Sequence, residues 1–294
     1  MTRSAVGILD DDEEADIAGF MLEACGIVST DFLANERLLT RENFEKNYSV
    51  LVKMAENRGS RRSSCFVLGY FTLLTGAEIF EKMRQKILNA AKWEHEEGYW
   101  HDKGFALKRK VYLEDFSEKI RIHKAGTKLH PAIFKYSGKE ILESKVLIGI
   151  SNLQNSNETR ENSDIEHVNL DGWNLKSIPK KIYNFKNLKS ISLEFNQISD
   201  IDDEISNLTS LKSLKYLSLD YNQLESLPES IGNISSLKSI SIIHNNVKRL
   251  PISLKKLKNL KYIYVRGTGI KRAPTFLKSS MFNSFNETIY LKNG

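Results

Sequence analysis

Six acids crowd into seven positions near the start of the chain: Asp10, Asp11, Asp12, Glu13, Glu14 and Asp16. Grouped carboxylates of this kind hold hard divalent cations such as calcium or magnesium. The same run also does a simpler job. Carboxylates at a helix start satisfy free amides and favour the positive end of the helix dipole. An apolar-periodic segment comes directly after, so the capping role is the one expected. A second cluster, "WEHEEGYWH", offers Glu94, His95, Glu97 and His101. Zinc hydrolases place two histidines four apart on one helical face. Here the histidines are six apart, and Gly98 interrupts the segment. Glu97 and His101 have the spacing of an ion pair. Cys25 and Cys65 carry no flanking signature of a nucleophile. Phosphate-cradling glycine loops and a Gly-x-Ser-x-Gly elbow are absent. No catalytic residue, metal ligand or cofactor is assigned.

These residues lie in a first half that reads as helical. "DDDEEADIAGFMLEACG" begins with acids, ends at Gly26 and places Ile17, Phe20, Met21 and Ala24 on one stripe. "RENFEKNYSVLVKMAENRG" repeats the pattern with Phe44, Tyr48, Leu51 and Val52 and stops at Gly59. "SSCFVLGYFTLLTG" is apolar nearly all round, which predicts a buried central helix. "AEIFEKMRQKILNAAKWEHEEGYW" carries Ile79, Phe80, Met83, Ile87 and Ala90. "FALKRKVYLEDFSEKIRIH" carries Val111, Leu113, Phe116 and Ile120. Five helices over residues 1–150 predict a compact bundle. Residues 151–163, "SNLQNSNETRENS", are polar and read as a linker. "KVLIGI", just before them, has the composition of a strand able to cap the first repeat of the second half.

From Asp164 to Gly294 the pattern changes to a repeat. One unit runs Leu214-x-x-Leu217-x-Leu219-x-x-Asn222-x-Leu224-x-x-Leu227-Pro228 and continues through Ile231 and Ile234. The next carries Leu237, Ile240, Ile242, Asn245, Val247 and Leu250-Pro251. The preceding one carries Leu188, Ile191, Leu193, Asn196, Ile198, Ile201, Ile205 and Leu208. Flanking units begin at Ile165 and Leu260 and have Trp173 and Thr268 where the others have Asn. The period is about 23 residues. One unit cannot bury its own apolar side, so units stack until the core is continuous. "LTSLKSLKYL" adds a triplet to one unit, which a longer turn on the convex side absorbs.

This half resembles the leucine-rich repeat proteins of the Leu-Pro-x-x-Ile-x-x-Leu subtype. The resemblance implies an α/β solenoid of about five repeats with an asparagine ladder at Asn196, Asn222 and Asn245. It also implies a concave binding face. Outward positions are Ser190, Ser192 and Glu194; Tyr216, Ser218 and Asp220; Ser239, Ser241 and Ile243; and Tyr262, Tyr264 and Arg266. Phe195, Tyr221 and His244 lie just past the strands. Phe195, Tyr216, Asp220, Tyr221, His244, Tyr262, Tyr264 and Arg266 are the expected partner contacts, since Tyr and Arg make good anchors. The first half is loosely similar to a group of small uncharacterised bacterial helical proteins, through Gly7-Ile8-Leu9-Asp10-Asp11-Asp12, Ala15-Asp16, Gly76, Trp93 and Lys108-Arg109 with Leu113. It lacks their early Trp-Gly, and that group carries no activity over.

Charge and compartment complete the reading. Residues 1–150 hold 23 basic and 23 acidic side chains, and the rest hold 20 and 14, so the whole net charge of +6 falls in the second half. Lys180, Lys181, Lys255, Lys256 and Lys258 fall on the convex side without interleaved aromatics, so nucleic acid is not the expected partner. No stretch reaches the length of a membrane span. The two cysteines and the cysteine-free repeats favour a reducing, cytoplasmic setting. The expected function is a non-catalytic adaptor that holds a protein partner. The alternatives are an effector or enzyme with its activity in residues 1–150, targeted by the repeats, or an immunity-type protein.

Overall fold

The computed structural model describes residues 9, 12–57, 61–100, 102–131, 146–156, 164–277, 280–283 and 288–291. Asp10, Asp11, His101 and most of the Gly7–Asp12 motif lie outside them. The chain divides into two compact units at Leu142 and Glu143.

The first unit is helical: α1 (Asp12–Ala24), α2 (Ser29–Ala34), α3 (Arg41–Asn57), α4 (Arg61–Thr75), α5 (Glu81–Ala90) and α6 (Lys103–Ile122). Helix α4 is its axis. Ser64 through Leu73 are all buried, as an all-round apolar helix requires. Gly69 lets α5 and α6 approach closely: a Cβ there would stand 2.7 Å from Phe116 and 2.9 Å from Ile87. Helix α1 ends at Gly26, with φ +71°, where the Ile27 amide returns to the Leu22 carbonyl at 2.9 Å. Two expectations shift. Phe20, placed by its spacing on the buried stripe of α1, is 46% exposed, and Ala18 and Leu22 are buried instead. The pattern predicts helix from Ala77 to Trp100, but α5 spans only Glu81–Ala90, followed by a 3-10 turn at Trp93–His95. Ala77–Phe80 leads in without helical structure, and Phe80 is 60% exposed.

The second unit is a solenoid. Parallel strands β1 (Val146–Ile148), β2 (His167–Asn169), β3 (Ser190–Ser192), β4 (Tyr216–Ser218), β5 (Ser239–Ser241) and β6 (Tyr262–Tyr264) pair in order. The "KVLIGI" segment is the strand that begins this sheet. The expected linker opens with helix α7 (Ile150–Asn155), which belongs to this second unit, and residues 157–163 lie outside the described set. Each strand turns its middle residue inward. Val168, Ile191, Leu217, Ile240 and Ile263 face the core in register and are at most 2% exposed. The convex side is built of 3-10 turns at Lys180–Asn184, Glu229–Asn233 and Ile252–Lys256. Each follows a proline whose ring presets φ between −61° and −69°. The unit with the extra triplet carries an α-helix there, α8 (Asp202–Leu208). A hairpin of β7 (Ser280–Asn283) and β8 (Thr288–Leu291) then pairs antiparallel with β6 and lays Ile289 into the repeat core. The repeat frame gave no sign of this hairpin.

Candidate functional site: the concave face

The concave sheet is stitched by two ladders. In the first, Asn222 accepts from the Ile198 amide and donates to the carbonyls of Leu193, Leu219 and Asp220. Asn245 accepts from Leu224 and donates to Leu219, Ile242 and Ile243. Asn196 accepts from Trp173 and Leu175 and donates to Leu170, Leu193 and Glu194. Each asparagine therefore satisfies backbone groups of its own unit and the one before. Thr268 replaces it in the last unit with a shorter version: its hydroxyl donates to Val265 and accepts from Ile270.

The second ladder corrects an expectation. Alternation along the strands places Asp220 among the partner contacts, and Ser192 and Glu194 facing outward. Asp220 is only 5% exposed, and its Oδ1 accepts from Ser241 Oγ and the Ile243 amide at 2.5 and 2.8 Å. Asp171 does the same for Ser192 Oγ and the Glu194 amide, and Glu194 accepts from Ser218 Oγ at 2.6 Å. A carboxylate in this position reaches across to the next strand and is enclosed there. Short strands of three residues leave amides uncovered at their ends, and these acids cover them.

The residue before each ladder position turns left-handed. Phe195, Tyr221 and His244 have φ of 55°, 55° and 53°, and Gly172 and Gly267 take the same place in the flanking units at 68° and 70°. Bulky residues seldom adopt this conformation, at a cost of about 1–2 kcal/mol each. The three rings stack on one another, which recovers part of that cost, about 0.5–1.5 kcal/mol per pair. Phe195 and Tyr221 lie 4.2 Å apart at 10°, and Tyr221 and His244 lie 4.6 Å apart at 31°. The column ends on Gly267, where a Cβ would fall 2.3 Å from His244 Nδ1. Their amides also bond onward, to the carbonyls of Asp220, Ile243 and Arg266.

The face between is open. Tyr216 is 48% exposed and Tyr262 38%, at the same register position on β4 and β6 with Ser239 between them. Tyr264 stacks beside Tyr262 at 6.2 Å and 22°. Arg266 is exposed at the end of the array. The outward positions read from the sequence omit one row. Lys189, Lys215, Lys238 and Lys261 immediately precede β3, β4, β5 and β6. Aligning the units by the residue before each strand would have found it.

This is the geometry of stacked strand-and-turn units with an asparagine ladder, and a family profile described as a leucine-rich repeat region matches residues 168–281. Residues 168–281 are a leucine-rich repeat region. Among solved structures, a leucine-rich repeat protein of Leptospira interrogans is 23% identical with a TM-score of 0.33, covering 40% of this chain and 29% of its own. Two internalins of Listeria monocytogenes are 25% and 26% identical, with TM-scores of 0.30 and 0.33. They cover 37% and 44% of this chain and 45% and 41% of their own. The chain thus spans less than half of each neighbour. A comparison with curated proteins gives no match.

In the helical unit the polar residues form enclosed networks. Glu96, passed over in the sequence for its neighbours, is the buried member of its cluster. Arg62, Arg109 and the Trp100 indole all donate to it, and Arg109 also reaches Glu14 at 3.1 Å. Burial alone would raise Glu96, but Arg109, Trp100 and Arg62 together hold its carboxyl below the usual range. Lys119 and Asp115 pair at 2.8 Å with the lysine fully buried. Cys25 and Cys65 are free and buried, and burial pushes both thiols up, away from the reactive thiolate. Among the described residues, no cluster of three or more His, Cys, Asp or Glu could hold a metal ion. No described helix is long and apolar enough to cross a membrane.

Proposed function

We propose that this chain is a non-catalytic binding or adaptor protein whose repeats take a protein partner on their concave face. One observation carries the reading. Of the large apolar side chains of the array that are exposed among the described residues, Tyr216 and Tyr262 share one register position on the concave sheet, and the third, Ile252, is on the convex turns. Exposed aromatic pairs on a stiff sheet make interface anchors, because a ring offers much area and few rotors to freeze. Tyr264, Arg266 and the edges of the Phe195–Tyr221–His244 column extend the same surface. A surface made of one strand from each of several units suits a protein rather than a small molecule, and solenoids generally bind along such faces. Nucleic acid is not the expected partner. A cytoplasmic setting belongs to the proposal and fits the two buried free thiols.

The test is site-specific photocrosslinking of the full chain in a lysate of its source cells. A crosslinker at Ser239, between the tyrosines, should trap a protein, and one at Lys255 on the convex turn should not. Tyr216→Ala with Tyr262→Ala should abolish the Ser239 product. Capture from Lys255 alone, or a Ser239 product indifferent to both tyrosines, would refute the concave assignment.

A further inference from the structure

The position before each strand forms a row: Glu166 in the first unit, then Lys189, Lys215, Lys238 and Lys261. The backbone keeps it straight. The Lys215 amide donates to the Lys189 carbonyl, Lys238 to Lys215 and Lys261 to Lys238, each at 2.8 Å, and Lys189 donates to Glu166 at 2.6 Å. The row's own first pair shows what such a lysine does beside a carboxylate: Lys189 Nζ donates to Glu166 Oε2 at 2.6 Å. The side chains of Lys215, Lys238 and Lys261 have no hydrogen-bond or ion-pair partner among the described residues. Lys215 and Lys238 are half-buried and Lys261 is exposed. Like charges on adjacent strands repel, and these three have no ion pair among the described residues to offset that.

We propose that Lys215, Lys238 and Lys261 form a docking strip for an α-helix of the partner protein that carries carboxylates at i, i+3 or i+4, and i+7. The proposal rests on the concave-face reading above and names the partner's chemistry. Spacing decides in favour of a helix. Adjacent strands lie about 4.8 Å apart, which puts Lys215 and Lys261 about 9.6 Å apart. On a helix, i and i+7 are about 10.5 Å apart along the axis. In an extended chain, the outer two of three same-side residues are about 13 Å apart, overshooting the row by roughly a third. Tyr216 and Tyr262 directly follow Lys215 and Lys261, so apolar residues beside the acids on the helix would meet their rings.

The experiment is a fluorescence-anisotropy titration of the full chain with four probes. The first is an alanine-rich peptide of about 18 residues, long enough to be helical in water, with glutamates at i, i+4 and i+7 beside two leucines. The second has the same composition with the glutamates spread round the helix. The third is an extended Glu-Thr alternating peptide, and the fourth an oligothymidylate. The patterned helix should bind most tightly. Lys215→Glu with Lys238→Glu and Lys261→Glu should weaken it about tenfold or more. The triple arginine variant should retain binding, and Lys255→Glu with Lys256→Glu should not matter. If charge reversal prevents folding, the triple glutamine variant carries the same test. Equal or tighter binding of any other probe, or intact binding by a folded charge-reversed or glutamine variant, overturns the helix-strip assignment. If the tyrosine double variant alone abolishes binding, the concave face stands and the lysine strip falls. If only the convex swap does so, both fall.

Discussion

Asn222 has its side-chain oxygen and both its amide hydrogens engaged by backbone groups of two units. Asn246, the residue after the next ladder asparagine, is exposed. Asn222→Ala should therefore cost about 1–3 kcal/mol, the penalty for leaving buried groups unsatisfied, and Asn246→Ala should cost almost nothing. Urea midpoints compare the two, and equal shifts would contradict the register. Gly267→Ala should also destabilise the array, through both its φ of +70° and the His244 ring in the way; a melting temperature at or above that of the parent would contradict this. In the helical unit, His130 makes a pH-dependent contribution. Its Nε2 lies 3.1 Å from Glu36 and 3.2 Å from the Tyr70 hydroxyl, with Lys119 also acting on it. Burial would lower the imidazole, but Glu36 outweighs it and the net shift is upward. A folded pKa above the unfolded value of about 6.5 gives stability that is complete below that pH. The contribution is lost as the pH rises through the folded pKa. The stability gap between wild type and Glu36→Gln should thus narrow as the pH is raised. A constant gap in denaturant titrations would exclude a charged His130–Glu36 pair.

Elements whose pattern is long and periodic were legible in the sequence. The core positions of the repeats and the buried α4 follow from spacing and hydrophobicity; the inward asparagines follow from the resemblance to leucine-rich repeats. What was not legible depends on neighbours in space. Phe80 and Ile79 fit a helical stripe, yet the helix begins only at Glu81. Phe20 fits the stripe of α1 but lies on its open side. Asp220 looks like a surface acid because nothing local shows that Ser241 and the Ile243 amide arrive from the next strand. The left-handed stack is the same kind of case, since propensity argues against a Phe or Tyr at positive φ. At the tight junction of α4 with α5 and α6, Gly69→Val should cost several kcal/mol through overpacking or displacement of Phe116 and Ile87. Thermal melting of the full chain measures it; a small loss would mean the helices can part.

At the scale of the molecule, the array is closed at its far end by an element outside the repeat frame. The β7–β8 hairpin covers the edge of β6 and contributes Ile289 to the core. A chain truncated after Leu277 should expose that edge, and exposed edges recruit other strands. Size-exclusion chromatography should show aggregation or a lower melting temperature; a monodisperse product of unchanged stability would make the hairpin dispensable. The ladders have a different consequence, one of heredity. Asn222 and Asn245 reach backward to the preceding unit through equivalent bonds, so a gene lacking the whole β4 unit would join β3 to β5 with Asn245 in the place of Asn222 and Ser241 in the place of Ser218. Such a deletion would remove Tyr216 and shorten the lysine row by one tooth. Recombination between repeats can thus change the side chains this face displays in whole-number steps, while the scaffold that carries them stays the same.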